Sequence, residues 1–274
     1  MQYVRLYVNI CAGFMLGIFL LIDLGCEAAH TASPATESPA TEPILSASRQ
    51  RVDQEMIKAL EAERDGGEVL NVGFVVLEGV FNSELMAPYD VIQHTIFRDD
   101  KNYMQPFMVG PSLDPIITFE GIEVLPHFTF EDAPEIDILI IPSTENSMTS
   151  DLEDAVFMAW LNKAVAEADY VITVCDGAFP LAATGVLDGR IATTFPGDRD
   201  SFAAKFPEID VRYDQNFVVD GKYITSVGGA LSYEPAFYLV EHLYSKENAD
   251  RIAQGLVWNW HLEQVPHLIV EQNL

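Results

Sequence analysis

The sequence predicts an α/β fold: a flavodoxin-like, doubly wound parallel sheet in a three-layer sandwich, carried by a single domain over residues 69–257. Three observations predict it. The runs Val69–Leu77, Ile136–Ile141 and Tyr170–Val174 are almost unbroken apolar text, as expected of strands covered on both faces. Segments with helical periodicity lie between these runs, so strands and helices alternate. Right-handed crossovers then leave a doubly wound sheet as the simplest layout.

The elements follow in order. Val52, Met56, Ile57 and Leu60 recur at helical spacing, so residues 46–68 read as an amphipathic helix ended by Gly66-Gly67. Val69–Leu77 is the first strand, and Leu85–Phe97 the helix after it. Strands bounded by Pro follow near Phe107–Val109 and Ile116–Thr118, the latter resuming at Glu123–Leu125. Ile136–Ile141 is stopped by Pro142, and a helix over Leu152–Ala168 takes its cap from Ser150 or Asp151. Tyr170–Val174 leads into a short helix, Gly177–Thr184. Weaker strands near 191–194, 209–213, 217–219 and 223–225 precede closing helices at Ser232–Tyr244 and Lys246–Leu256. Residues 258–274 read as a tail packed on the body through Trp258 and Trp260.

Ahead of this body the text is of another kind. Arg5 precedes an apolar run from Leu6 to Ile22, and Leu24-Gly25-Cys26 closes it, so residues 1–26 read as an export segment. The ending resembles the lipobox of bacterial lipoproteins, with Cys26 as the acylated residue, although Asp23 stands where that motif has an aliphatic side chain. An uncleaved membrane anchor and plain secretion are the alternatives. Ser33-Pro34-Ala35-Thr36-Glu37 is repeated at once as Ser38–Glu42, so residues 27–45 form a solvated tether. The expected location is the cell envelope, on its periplasmic or extracellular face.

Composition narrows the function. The 274 residues carry 42 Asp and Glu against 15 Lys and Arg, a net charge of −27, which excludes nucleic acid as a partner because little basic surface is available to displace counterions. Of 3 cysteines only Cys175 lies in the body, so disulfides do not staple the fold. The six histidines show no tight metal spacing, and no phosphate loop or dinucleotide fingerprint occurs, so no metal or cofactor is implied.

Sheets of this type place chemistry beyond the carboxyl ends of the strands. After Val174 comes Cys175-Asp176-Gly177, the outline of a nucleophile elbow. A helix N-terminus there is expected to lower the thiol pKa and favour thiolate. The other reading is a buried, inert cysteine. Glu84 opens the helix after the first strand, either as a dipole-favoured acid or as a proton donor facing the sulfur. Ser143 and Thr144 follow Pro142, either as a plain loop or with amides forming an oxyanion pocket that Gly177 and Phe195 help to line. Asp176 either caps the following helix or orients water beside Cys175, and Asp198 either caps its helix or lines the pocket.

Taken together, residues 72–91 with Glu84 four places before Pro88, Pro134–Pro142, and Val174–Phe179 resemble the ThiJ/PfpI family of the class I glutamine amidotransferase-like superfamily. Gly185–Thr194 and Asp220–Gly229 extend the resemblance across residues 70–257. Members related to isocyanide hydratase and to the amidotransferase-like half of AraC-type regulators are the most similar. The resemblance implies a flavodoxin-like sandwich, a homodimer, Cys175 as nucleophile and Glu84 as its acidic partner.

Departures from the family pattern exclude some of its activities. Asp176 stands where the protease-like members have His, and Phe195 follows Thr193-Thr194 where many others have it. Peptidase activity is therefore disfavoured, and Ser143-Thr144 replaces a Gly-Gly pair, reshaping the pocket. A DNA-binding regulator would need a longer region after Val257. The expected function is a cysteine-dependent hydratase or lyase acting on a small-molecule electrophile, an isocyanide or a reactive carbonyl. A non-catalytic redox or ligand sensor built on an oxidisable Cys175 is the alternative.

Overall fold

The structure is a computed structural model that describes residues 67–97 and 102–271. The readings of residues 1–66 as export segment, tether and amphipathic helix lie outside the described residues. Strand β1 (Val69–Val75) is followed by helix α1 (Asn82–Gln93) and a 3-10 turn at His94–Phe97. Then come β2 (Tyr103–Gly110), the short pieces β3 (Ile116–Ile117), β4 (Glu123–Val124) and β5 (Phe128–Thr129), and β6 (Ile138–Ile141). Helix α2 (Ala155–Glu167) leads to β7 (Tyr170–Val174) and α3 (Ala178–Ala183). After β8 (Ile191–Ala192), α4 (Arg199–Lys205) and β9 (Asp210–Val211) come β10 (Phe217–Asp220) and β11 (Tyr223–Ser226). Helices α5 (Tyr233–Leu243) and α6 (Lys246–Gly255) precede the last strand, β12 (His267–Val270).

Eight strands make one sheet in the order β12-β10-β11-β7-β6-β1-β2-β5. Every pair in it is parallel except the β10–β11 hairpin. Period-two alternation divides the strand side chains between two cores. Val72, Phe74, Ile138, Ile140, Ile172 and Val174 face one side, packed with Leu85 and Val91 of α1, Phe237 of α5 and Ile252 of α6. Val75, Leu139, Ile141 and Val171 face the other, against Phe157 and Leu161 of α2 and Phe179 of α3. Each such side chain contributes about 1.5–3 kcal/mol by burial, so both faces hold the sheet rigid beneath its loops.

Several boundaries differ from the sequence reading. The helix before β7 starts at Ala155, and its cap is Asp154, whose carboxylate accepts from the amides of Val156 and Phe157. Ser150 and Asp151 instead form a separate 3-10 turn. Pro106 lies inside β2 rather than before it. The described tail is more than a packed appendage. Trp260 is 3% exposed, and β12 pairs with β10 as an edge strand, so the sheet extends past residue 257. No described helix is long and apolar enough to cross a membrane.

Candidate functional site

Three strand ends, those of β1, β6 and β7, converge because the strands are adjacent and parallel. At the end of β7 the chain turns sharply. Cys175 has φ +57°, a left-handed conformation that costs a non-glycine residue about 1–2 kcal/mol. A 3-10 turn over Cys175–Gly177 then passes into α3. Two glycines make room for this bend. A Cβ on Gly177 would run into the carbonyl oxygen of Ile141, and one on Gly228 (φ +79°) would run into Cβ of Cys175. The elbow is thus clamped between the end of β6 and the loop after β11.

Glu84 reaches this bend from the first turn of α1 and is 4% exposed. Its Oε2 accepts from Ser143 Oγ at 2.5 Å and from the Ser143 amide at 3.3 Å. Its Oε1 accepts from the Gly229 amide at 3.3 Å, and the carboxyl also hydrogen-bonds the Cys175 thiol. Burial pushes the Glu84 pKa up, and these donors pull it only part of the way back. Cys175 is 7% exposed, and its thiol pKa is driven far above the usual range, first by burial and then by the negative charges of Glu84 and Asp176.

That result corrects the expectation of a thiolate stabilised by the helix. Helix α3 spans only Ala178–Ala183, and burial of the sulfur, with two acidic neighbours, outweighs its dipole. With Glu84 ionised, the proton stays on sulfur. An anionic sulfur requires Glu84 to take that proton up, so the ionisation of the two groups is linked.

Asp176, next in the chain, also acts on the sulfur through its charge. Its Oδ1 accepts from Thr194 Oγ1 at 2.9 Å, and the same hydroxyl lies 3.0 Å from the Cys175 carbonyl oxygen. Burial, then the neighbouring Asp198 carboxyl and the Glu84 charge, push the Asp176 pKa up to about 7. Asp176 does not cap a helix: neither the turn nor α3 receives a side-chain cap bond. Asp198 stands at the cap position of α4 but makes no cap bond either; it hydrogen-bonds Asp176.

The other expected pocket residues fare unevenly. Ser143 joins the site, but its amide is spent on Glu84. The Thr144 amide donates to Ser147 Oγ at 2.8 Å and its hydroxyl to Asp151 Oδ2 at 2.5 Å, so Thr144 organises its own loop. The oxyanion pocket expected from these two amides is therefore already filled by protein acceptors. Gly177 acts through the close approach described above. Phe195 is 42% exposed and lies over Gly197. Gly228, Gly229 and the turned-in carboxyl of Asp198 are the participants that residue patterns did not single out in these roles. Among the described residues no group of three or more His, Cys, Asp or Glu is placed to hold a metal ion.

The DJ-1/PfpI family model matches residues 71–242, more than half of the chain and the whole of this constellation. Isonitrile hydratase of Pseudomonas putida is 28% identical over 183 residues, covering 67% of this chain and 76% of that protein. Among solved structures, a ThiJ/PfpI family protein from Pseudomonas syringae superposes with a TM-score of 0.62 at 24% identity, covering 72% of this chain and 77% of that one. An AraC family transcriptional regulator from Pseudomonas putida gives a TM-score of 0.58 at 21% identity, covering 68% and 99%.

Proposed function

The chain belongs to the DJ-1/PfpI family, and from that premise we propose that it is a cysteine-dependent hydratase of a small electrophile, an isocyanide or a reactive carbonyl compound. The observation that carries the reading is the contact between the buried Cys175 thiol and the Glu84 carboxyl. The similarity to an isonitrile hydratase supports the choice of electrophile.

The chemistry follows from this contact. As sulfur attacks the terminal carbon of R–N≡C, the S–H proton passes to Glu84 and from there to that carbon, giving R–N=CH–S–Cys175. Water then adds to the carbon–nitrogen double bond. Collapse of the adduct breaks the C–S bond, releases R–NH–CHO and returns a proton to the sulfur. Glu84 is held by three protein donors, so it meets the sulfur in a fixed geometry throughout.

A redox sensor is the rival reading, and the electrostatics weigh against it. Peroxide oxidises thiolate, whereas this thiol is kept protonated first by burial and then by two acidic neighbours. Addition across an unsaturated carbon instead uses the proton. The test is consumption of a panel of alkyl isocyanides and dicarbonyls by the full chain and by Cys175→Ala. The reading predicts formamide or hydrated product only with the wild type. Equal rates with both proteins would overturn it.

The same reading includes an envelope location through acylated Cys26 and a homodimer. Incorporation of labelled palmitate that is lost in Cys26→Ser, and light scattering of the purified chain at twice its monomer mass, are the respective checks.

A further inference from the structure

Thr193 and Thr194 are both fully buried, yet their hydroxyls are used differently. Thr193 Oγ1 donates to the Arg212 carbonyl at 2.8 Å and accepts from Arg199 Nε at 3.2 Å. The Thr193 amide donates to Thr225 Oγ1 at 2.9 Å, and Thr225 lies on β11, the neighbour of the strand that ends in the elbow. The backbone at Thr193 is thereby fixed relative to Cys175. Thr194 Oγ1 has two acceptors in reach, the Cys175 carbonyl oxygen at 3.0 Å and Asp176 Oδ1 at 2.9 Å. A hydroxyl has a single proton, so it serves one of them fully at a time.

The charge on Asp176 decides which. A carboxylate draws a bond about twice as strong as a neutral acceptor does. A neutral Asp176 loses that advantage and can itself donate to Thr194 Oγ1, which leaves the Thr194 proton for the Cys175 carbonyl. That carbonyl also accepts from the Ala178 amide, and the hydroxyl fills its second lone pair. It belongs to a residue held at φ +57°, so a donor anchored through Thr193 resists relaxation of the bend.

Resting on the hydratase reading for its effect on turnover, we infer that Thr194 is a positioning residue: its one proton holds the Cys175 carbonyl while Asp176 is neutral and turns to the Asp176 carboxylate when that ionises. The sulfur is then best placed against Glu84 in the neutral state of Asp176. The proton that Asp176 gives up passes to solvent, which its half-buried side chain reaches. Burial is the main cause holding the Asp176 pKa up at about 7, and the Thr194 hydroxyl pulls it down. The charged groups facing Asp176 are Asp198, at the head of α4, and Glu84 of α1, and both push in the same direction as burial. Arg199 is turned away, with its guanidinium on the carbonyls of Tyr213 and Gln215.

The test uses the full chain with Thr194→Val, which keeps the shape without the hydroxyl, and Thr194→Ser, which restores it. Thr194→Ala takes the place of Thr194→Val should that variant fail to fold by circular dichroism. Two readouts are taken against pH: kcat with an alkyl isocyanide, and the rate of Cys175 alkylation by iodoacetamide, which needs no turnover. In the wild type both profiles should break near pH 7, with kcat falling as pH rises. Thr194→Val should lower kcat about fivefold at pH 6, where the wild-type hydroxyl holds the carbonyl, and by less than about twofold at pH 9, where it has already turned away. KM should not change, because Thr194 is sealed from substrate. The break should move to higher pH in Thr194→Val, because Asp176 has lost a donor, and return to the wild-type position in Thr194→Ser. A Thr194→Val profile equal to the wild type, or lowered by the same factor at every pH with the break unmoved, overturns the inference. A wild type that consumes no isocyanide overturns the hydratase reading, and the alkylation break, moved or unmoved by Thr194→Val, still decides the role of Thr194.

Discussion

Glu84 and Asp176 both act on the Cys175 sulfur, and burial raises the pKa of both, yet the fold treats them differently. Both oxygens of Glu84 are held, by the amides of Ser143 and Gly229 and the hydroxyl of Ser143, and almost none of the side chain meets solvent. Asp176 is half-buried and is held by one threonine hydroxyl and a second acid. A carboxyl fixed by donors on both oxygens is a positioning device whose proton goes only to the atom it faces. A half-buried carboxyl held by a single hydroxyl donor can exchange its proton with solvent. Environment, not residue type, assigns the two roles.

The largest effect should come from removing the clamp on which the comparison rests. Gly177→Ala drives a Cβ into the Ile141 carbonyl, and backbone cannot retreat as a side-chain tip can. Denaturant unfolding should show a loss of at least about 3 kcal/mol. Gly255→Ala, with open space around it at the end of α6, should lose none. Equal stability of the two variants would mean that the elbow is not held as described.

Next in size is Glu84→Gln, which keeps the shape but cannot accept the thiol proton. Turnover should fall about a hundredfold or more, measured as kcat with the isocyanide probe. Ser143→Ala removes one hydroxyl from Glu84 and should cost about tenfold in kcat, at the lower end of the range of about 1.5–3 kcal/mol for a hydrogen bond to a charged group. If Ser143→Ala were as damaging as Glu84→Gln, the hydroxyl would be reacting rather than positioning.

The smallest effect is on stability. A folded-state pKa raised to about 7 means that Asp176 favours the folded state fully below pH 4 and loses that contribution as pH rises through 7. Between pH 5 and pH 8 the wild type should therefore lose more in Tm, by a few degrees, than Asp176→Asn does. Parallel curves for the two proteins would remove the electrostatic difference between the two acids.

The part of this site legible in the sequence is the part written locally. A buried strand, a nucleophile and a glycine two residues on are contiguous, so Cys175 and Gly177 could be read directly, and Glu84 followed from its place at the head of the first helix. The strand–helix alternation likewise carried the sheet. What could not be read is what distant segments bring. Gly229 meets Glu84 across 145 residues, and only the folded chain shows that Gly228 must lack a side chain because the elbow lies against it. Asp198 reads either as a helix cap or as pocket lining, and only tertiary contact decides between them by bringing it near Asp176. The short edge strand β12 escaped because four residues after Pro266 carry too little periodicity to distinguish a strand from a tail. The thiol pKa escapes the sequence for a similar reason: the helix is local and visible, whereas the burial of the sulfur and the charge of Glu84 come from packing with other elements.

Everything above depends on the linked ionisation of Cys175 and Glu84, and the rate of Cys175 alkylation by iodoacetamide against pH, in wild type and Glu84→Gln, tests that most directly. The account predicts a wild-type midpoint above that of an ordinary thiol, moving to lower pH in Glu84→Gln because a negative charge beside the sulfur has been removed. A wild-type midpoint at or below that of a free thiol, unchanged by the substitution, would contradict it.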